Sequence, residues 1–441
     1  MKILSFTCKP STIRSLIVGV LIYGYASLGL CQSVGAEFPK VLTLPQALEM
    51  LDDNHPGLLL TRARMQEIGA ERVQVDADTA LKAIIGLELR GAVKASDPDN
   101  DFVDDSRALF VLDKPLTTFG REQVRTGAVR TELDSLGQKE VLNRASIRLD
   151  AMRAFFEVII ADYAYTAIDE EMTLAFLHFD DAREQMERYH ELPEVEVRAL
   201  EVVYLDAFAK RTAARHEQRA SRLRLALALN RPMAYPDQLI EPDLSKYSRQ
   251  LPDYEELLES AMLNNHSIKS AKLQLEAQRQ RLDGLSLARR PTLGARFQAA
   301  EYERILGSSR DQFRASLYLD IPLTVPRLTQ GEIARQSAAV LKYESNVKLI
   351  ENELRLNVLR LVQRLEQLDS ELNAARTDLL YRELDLDRVR LQYEMEVRAR
   401  IGGANTEVAR SLHRLAYIRY QRALVWEQLD MLAGRTEVFF E

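Results

Sequence analysis

Two carboxylates stand where they can do electrostatic work. Glu196 follows the Leu192-Pro193 turn, and Glu407 follows Gly402-Gly403-Ala404-Asn405-Thr406. A ring of acids at the mouth of a pore favours cations. The same residue early in a helix is stabilised by the helix dipole with no pore at all. A second candidate, Asp97-Pro98-Asp99-Asn100-Asp101, starts like a calcium loop. Its sixth position is Phe102 instead of Gly and its twelfth is Ala108 instead of Glu, so a solvated loop is expected there. The six histidines (55, 178, 190, 216, 266 and 413) are scattered. There is no His-Glu-x-x-His, no phosphate loop and no Gly-x-Ser-x-Gly. Nothing brings a nucleophile, a base and an oxyanion site together. The chain is expected to have no catalytic residue, no cofactor and no metal. Phe155, Phe156, Tyr163 and Phe176 are expected to pack rather than to bind a ligand.

The elements that carry these residues follow from composition. Of 441 residues, 28% are charged, with a formal net charge of −7. An acidic balance argues against a nucleic-acid partner. The chain is rich in Leu, Ala, Arg and Glu and poor in Gly and Pro, as long helices are. Lys2, Lys9 and Arg14 precede an apolar run from Ser15 to Leu30, and Val34-Gly35-Ala36 supplies small residues for cleavage. Residues 1–36 are therefore expected to be a signal peptide, with export to follow. A membrane anchor is the alternative, but the run is short for a span of about 20 residues. Cys8 and Cys31 both lie in this segment, so the mature chain would hold no disulfide and no cysteine metal site. Leu28-Gly29-Leu30-Cys31 is similar to a lipoprotein cleavage box, with Leu30 where a small residue is usual; lipidation of Cys31 is the lesser expectation.

Two halves of the chain repeat each other at an offset near 210 residues. Ala47-Leu48-Glu49-Met50-Leu51-Asp52-Asp53-Asn54-His55-Pro56 matches Leu257 to Ser267, which contains Asn264-Asn265-His266. Leu112-Asp113-Lys114-Pro115-Leu116 matches Leu319-Asp320-Ile321-Pro322-Leu323, and Arg188-Tyr189 matches Gln392-Tyr393. The first repeat, 37–245, is expected to hold a helix, strands at about 82–93 and 106–116, a long helix at 121–191 and a helix at 195–229. The second, 246–441, is expected to hold helices at 253–289, strands at about 292–302 and 312–322, a long helix at 331–400 and a helix at 405–433.

Neither Gly nor Pro occurs between Glu332 and Ile401. Seventy residues without a breaker predict one helix, about 100 Å long at 1.5 Å per residue. Leu354, Val358, Leu361, Leu365, Leu368, Leu372, Ala375, Leu379, Leu386, Val389 and Tyr393 step by three and four, interrupted at Arg382. That 3.5-residue period predicts packing along a neighbouring helix. The strand segments alternate instead. Phe313, Ala315, Leu317, Leu319 and Ile321 interleave with Arg314, Ser316, Tyr318 and Asp320. Each strand is about 10 residues, the length that crosses a bilayer at a tilt. A soluble hairpin explains any one of them; four in an exported chain point to lipid.

Unpaired backbone groups are not tolerated in lipid, so such strands must close into a barrel. Four are too few, since small barrels take about eight. Three copies supply twelve, so a trimer is expected if the strands lie in lipid. The helix–strand–strand–helix order places all helices on one side of the membrane.

The duplicated Ala-Leu…Asn-His opening, the strand ending in Pro-Leu followed by Gly120-Arg121, and the Tyr before each helical turn resemble the TolC-type outer-membrane efflux proteins over about residues 42–434. The resemblance implies an α+β membrane protein of duplicated helix–strand–strand–helix units. It implies a trimeric 12-stranded β-barrel in the Gram-negative outer membrane, continuous with a long α-helical barrel in the periplasm. It also implies docking to a periplasmic adaptor (membrane fusion) protein and an inner-membrane pump, for efflux or type I secretion. The family's tip turns carry Gly and then Ser/Thr-x-x-Asp-Val. Here the first reads Tyr189-His190-Glu191-Leu192-Pro193-Glu194-Val195-Glu196-Val197, and the second is seven residues longer. Glu196 and Glu407 take the place of the family's Asp, and with Gly402 and Gly403 they are the candidate gate. The alternative is a periplasmic coiled-coil structural or adaptor protein without a pore.

Overall fold

The computed structural model describes residues 41–51, 53–89, 91–93, 102–104, 106–190, 192–232, 235–251, 253–302, 311–324, 327–395 and 401–435. The described residues belong to one compact unit, Pro39–Glu441. The signal-peptide segment with Cys31, and the calcium-like run Asp97–Asp101, lie outside the described residues.

The element order is doubled. The first half runs through the short strand β1 (Val41–Leu42), α1 (Leu44–Glu49), α2 (Pro56–Ala77), β2 (Lys82–Glu88), β3 (Gly91–Val93), β4 (Phe102–Asp104), β5 (Arg107–Thr117), α3 (Arg121–Glu184) and α4 (Glu194–Ala228). A connecting segment carries β6 (Gln238–Leu239), which pairs in parallel with β1. The second half runs through α5 (Tyr254–Asn264), α6 (His266–Ser286), β7 (Thr292–Tyr302), β8 (Phe313–Asp320), α7 (Arg327–Glu394) and α8 (Ile401–Leu432).

The same local chemistry starts and ends helices in both halves. α2 is capped by His55, whose Nδ1 accepts from Gly57 N at 3.2 Å. At the matching place, Asn265 Oδ1 caps α6 by accepting from Ser267 N and Ile268 N at 2.9 and 3.1 Å. α4 ends on Asn230 (φ +56°) and α8 on Gly434 (φ +72°), both left-handed. Each end carries the paired bonds of a Schellman turn: Arg231 N to Ala226 O, and Arg435 N to Asp430 O. Asn230 then reaches Asn54 O, while Gly434 lies against Asn264 O so closely that a Cβ would stand 2.5 Å from it.

Helix α3 packs along α2, α4, α6 and α8, and α7 packs along α6 and α8. Among the positions of the 3.5-residue stripe, Leu354, Val358, Leu365, Leu368, Leu372, Ala375 and Leu386 are buried. Leu361, Leu379 and Val389 are half-buried, and Tyr393 is exposed where the helix nears its end. On α3, Phe155, Phe156 and Val158 are fully buried, and Phe156 stacks on Tyr420 of α8 at 4.6 Å.

Several bounds differ from the sequence expectation. α3 is α-helical to Glu184 and passes into a π-helical turn, Gln185–Tyr189, ended by left-handed His190. α7 starts at Arg327 and ends at Glu394, and α8 starts at Ile401. Gly402 and Gly403 therefore sit inside a helix and not in a turn. The reason at Gly402 is tertiary: a Cβ there would lie 2.7 Å from Leu174 Cδ1, so glycine lets α8 approach α3. The segment 82–93 is split, since β3 leaves the main sheet to pair with β4.

Candidate functional site

Four strands form one antiparallel sheet in the order β2-β5-β7-β8. In-register residues point to the same face, so the pairing sorts the side chains. One set of rows holds Ala83/Leu112/Phe297/Ala315, Ile85/Phe110/Ala299/Phe313 and Lys114/Ala295/Leu317. This face is apolar. Its charged exceptions in the paired rows are Lys114 and Glu301, one towards each end, where a long side chain can reach polar surroundings. Ile85, Leu87 and Leu317 are each more than 70% exposed in the single chain, with Phe313 near that value. So large an apolar area on a charged chain calls for a partner, protein or lipid.

The other face carries most of the charge. One row runs Lys82/Asp113/Arg296/Ser316 across all four strands; the next, Ile84/Val111/Gln298/Arg314, is apolar on β2 and β5 and polar on β7 and β8. Arg296 donates to Asp113 at 2.9 Å, and Tyr318 donates its hydroxyl to the same carboxylate at 3.0 Å. The Arg296 guanidinium lies 5.2 Å from the centre of the Tyr318 ring. At the far end of the strands Arg107 pairs with Glu88 at 2.6 Å. The sheet thus has one apolar face and one that carries ion pairs, and the apolar face is open in the single chain. Among the described residues no helix is long and apolar enough to cross a membrane.

At the opposite ends of the helices the gate candidates separate. Glu196 lies in the first turn of α4, exposed, with its amide bonded to Pro193 O at 3.0 Å. Glu407 is engaged, 2.7 Å from Arg410 and 3.4 Å from Arg382 of α7. Arg410 also donates to Glu171 of α3 at 2.6 Å, and Lys210 of α4 lies 3.4 Å from that carboxylate. Asp378 of α7 accepts from Ser411 at 2.7 Å and stands 3.5 Å from Arg382. All four long helices thus meet in one charged clasp. The Arg410 hydrogen bond, helped by Lys210, holds the Glu171 carboxyl below its usual value, and burial opposes them. Gly403 touches nothing within 4 Å at the Cβ position.

A second charged group fixes the connecting segment, and the sequence reading missed it. Glu427 and Asp430 of α8 are buried. Tyr247 and Lys246 bind Glu427, and Arg249 binds Asp430 while lying over the Trp426 ring at 4.3 Å. Burial, then the charge of Glu427, pushes the Tyr247 hydroxyl far above its usual value. The i, i+3 spacing of Glu427 and Asp430 is the signal that was available. The histidines stay apart: His55 caps α2, His178 and His216 are exposed, and His266 bonds Gln138 at 2.9 Å. Burial lowers His413 below its usual value. Among the described residues no group of acids and histidines is arranged to hold a metal ion.

No protein-family model matches the sequence, and no curated protein matches it. Solved structures do. The outer-membrane protein VceC of Vibrio cholerae superposes with a TM-score of 0.70 at 13% identity, over 89% of this chain and 96% of that one. The CmeC outer-membrane channel of Campylobacter jejuni gives 0.70 at 12%, over 89% and 85%. The open state of the MtrE outer-membrane channel of Neisseria gonorrhoeae gives 0.67 at 16%, over 89% and 88%. With its doubled order, its four-stranded sheet and its paired long helices, the chain has the TolC-type fold shared by these outer-membrane channels.

Proposed function

We propose that the protein is the outer-membrane exit duct of a tripartite efflux or type I secretion system. It passes solutes from the periplasm and an inner-membrane pump to the exterior and carries out no chemistry of its own. The observation that carries this reading is the two-faced sheet. Among the described residues its edge strands, β2 and β8, pair on one side only, and lipid forbids the unpaired backbone groups that this leaves. Joining the β8 edge of one copy to the β2 edge of the next closes twelve strands in a homotrimer, with the apolar rows against lipid and the Lys82/Asp113/Arg296 row facing water. The helices then extend into the periplasm, α3 and α7 each about 100 Å long by the rise per residue. The solved channels that share the fold, CmeC and MtrE among them, favour the same reading, and a periplasmic adaptor and a pump are the partners it calls for.

The tip is the proposed gate. Glu196 is exposed and makes no ion pair among the described residues, so it can contribute to an acidic ring, whereas Glu407 works as a tie within the clasp of Glu171, Arg382 and Arg410. Single-channel conductance of purified trimers in a planar bilayer tests the duct and the Glu407 tie. Discrete openings are expected, more frequent in Glu407→Gln than in the wild type. Equal opening in the two proteins removes the tie; no conductance, even with the clasp broken in Glu407→Gln/Arg410→Gln, favours a structural hairpin without a pore.

A further inference from the structure

The polar sheet face holds one carboxylate between two cations. Lys82, Asp113 and Arg296 are direct neighbours in one row. Asp113 also binds a group from a strand that it does not touch. Tyr318 is paired with Gly294, one residue step from Ala295 and two from Arg296. Its ring lies across β7 above Gly294, and its hydroxyl reaches Asp113 on β5 at 3.0 Å. This crossing needs glycine: a Cβ at Gly294 would stand 2.3 Å from the Tyr318 ring and hydroxyl. Arg296, bonded to the same carboxylate, lies against the ring. One acid thus holds down a guanidinium and an aromatic ring that would otherwise extend from the wall.

We infer that Asp113, pinned beneath Arg296 and Tyr318 across Gly294, sets the ion preference and the clear width of the duct at the helix end of its barrel. The inference rests on the duct reading above. The row carries +1 per copy, two cations and one acid, hence +3 in a trimer. Removing the acid makes that +6, and removing Arg296 makes it 0. Rings of fixed charge of this kind decide which ions a pore admits. Asp320 lies two polar rows nearer the helices, so the informative quantity is the change on substitution, not the absolute preference.

The test is the reversal potential of full-length mature trimers in a potassium chloride gradient, in the Glu407→Gln/Arg410→Gln background so that the tip does not mask the barrel. Asp113→Asn is expected to shift it towards anions, and Arg296→Gln towards cations. Gly294→Ala leaves the charges in place; it is expected to lower conductance, as Tyr318 is pushed into the lumen, with little shift in reversal potential. Conducting channels whose reversal potential ignores both charge substitutions overturn the inference and leave the duct standing. Membrane-inserted trimers that conduct in no background overturn the duct and this inference with it.

Discussion

At the scale of the residue, Glu171 and Arg410 decide how firmly the tip is held. They are 239 positions apart and bring α3 and α8 together at 2.6 Å. Both remain partly exposed, so solvent screens the pair and its worth is about 0.2–1 kcal/mol. Glu171 is bound by Arg410 and Lys210, and its folded carboxyl is shifted downward from 4.5. A depressed carboxyl stabilises the fold fully above its ordinary value and loses that stabilisation as pH falls through the folded value. The melting temperature of the wild type is therefore expected to drop below about pH 4.5 more steeply than that of Glu171→Gln. Near neutral pH, a double-mutant cycle of Glu171→Gln with Arg410→Gln is expected to return a coupling of that same few tenths of a kcal/mol up to one. Parallel acid limbs in the two proteins, with no coupling, would leave the clasp as a geometric coincidence.

At the scale of the element, what could be read from sequence divides by range. The 3.5-residue stripe on α7 was legible because a helix repeats its environment every two turns, and Leu365, Leu368 and Leu372 are buried as that spacing requires. Alternation at 313–321 was legible for the same reason, with period two. The clasp and the Glu427–Asp430 anchor were not, since partners such as Arg249 and Asp430 are 181 residues apart and leave no local pattern. The start of α8 was misplaced because two glycines argue for a turn, while the contact with Leu174 that overrides them is tertiary. The stripe yields a quantitative expectation. Leu365 is fully buried within one chain, so Leu365→Ala should cost about 2–5 kcal/mol. Leu384 lies on the same helix but is 61% exposed in the single chain. In unassembled protomers, denaturant unfolding should register the first substitution and barely notice Leu384→Ala. Similar losses at both positions would mean that the helix packs on a different face from the one described.

At the scale of the whole molecule, the proposed duct turns on which surface meets lipid. Neighbouring residues of β8 give opposite answers by design of the pleat. Ser316 shares the polar row with Lys82, Asp113 and Arg296, and Leu317 shares the apolar row with Lys114 and Ala295. In a soluble hairpin both faces see water, and arginine at either position would be a mild surface change. In a barrel the two substitutions part company. Leu317→Arg puts a cation against hydrocarbon, which costs about 2–4 kcal/mol at mid-depth and less near the interface. Ser316→Arg puts the same cation into an aqueous lumen at little cost. The fraction of chain recovered as assembled trimer in washed outer membranes is therefore expected to fall for Leu317→Arg and to hold for Ser316→Arg. The reverse order would place the lumen on the other side of the sheet. Equal recovery would remove the membrane assignment itself, because no arrangement with one lipid face and one aqueous face treats adjacent residues of a strand alike.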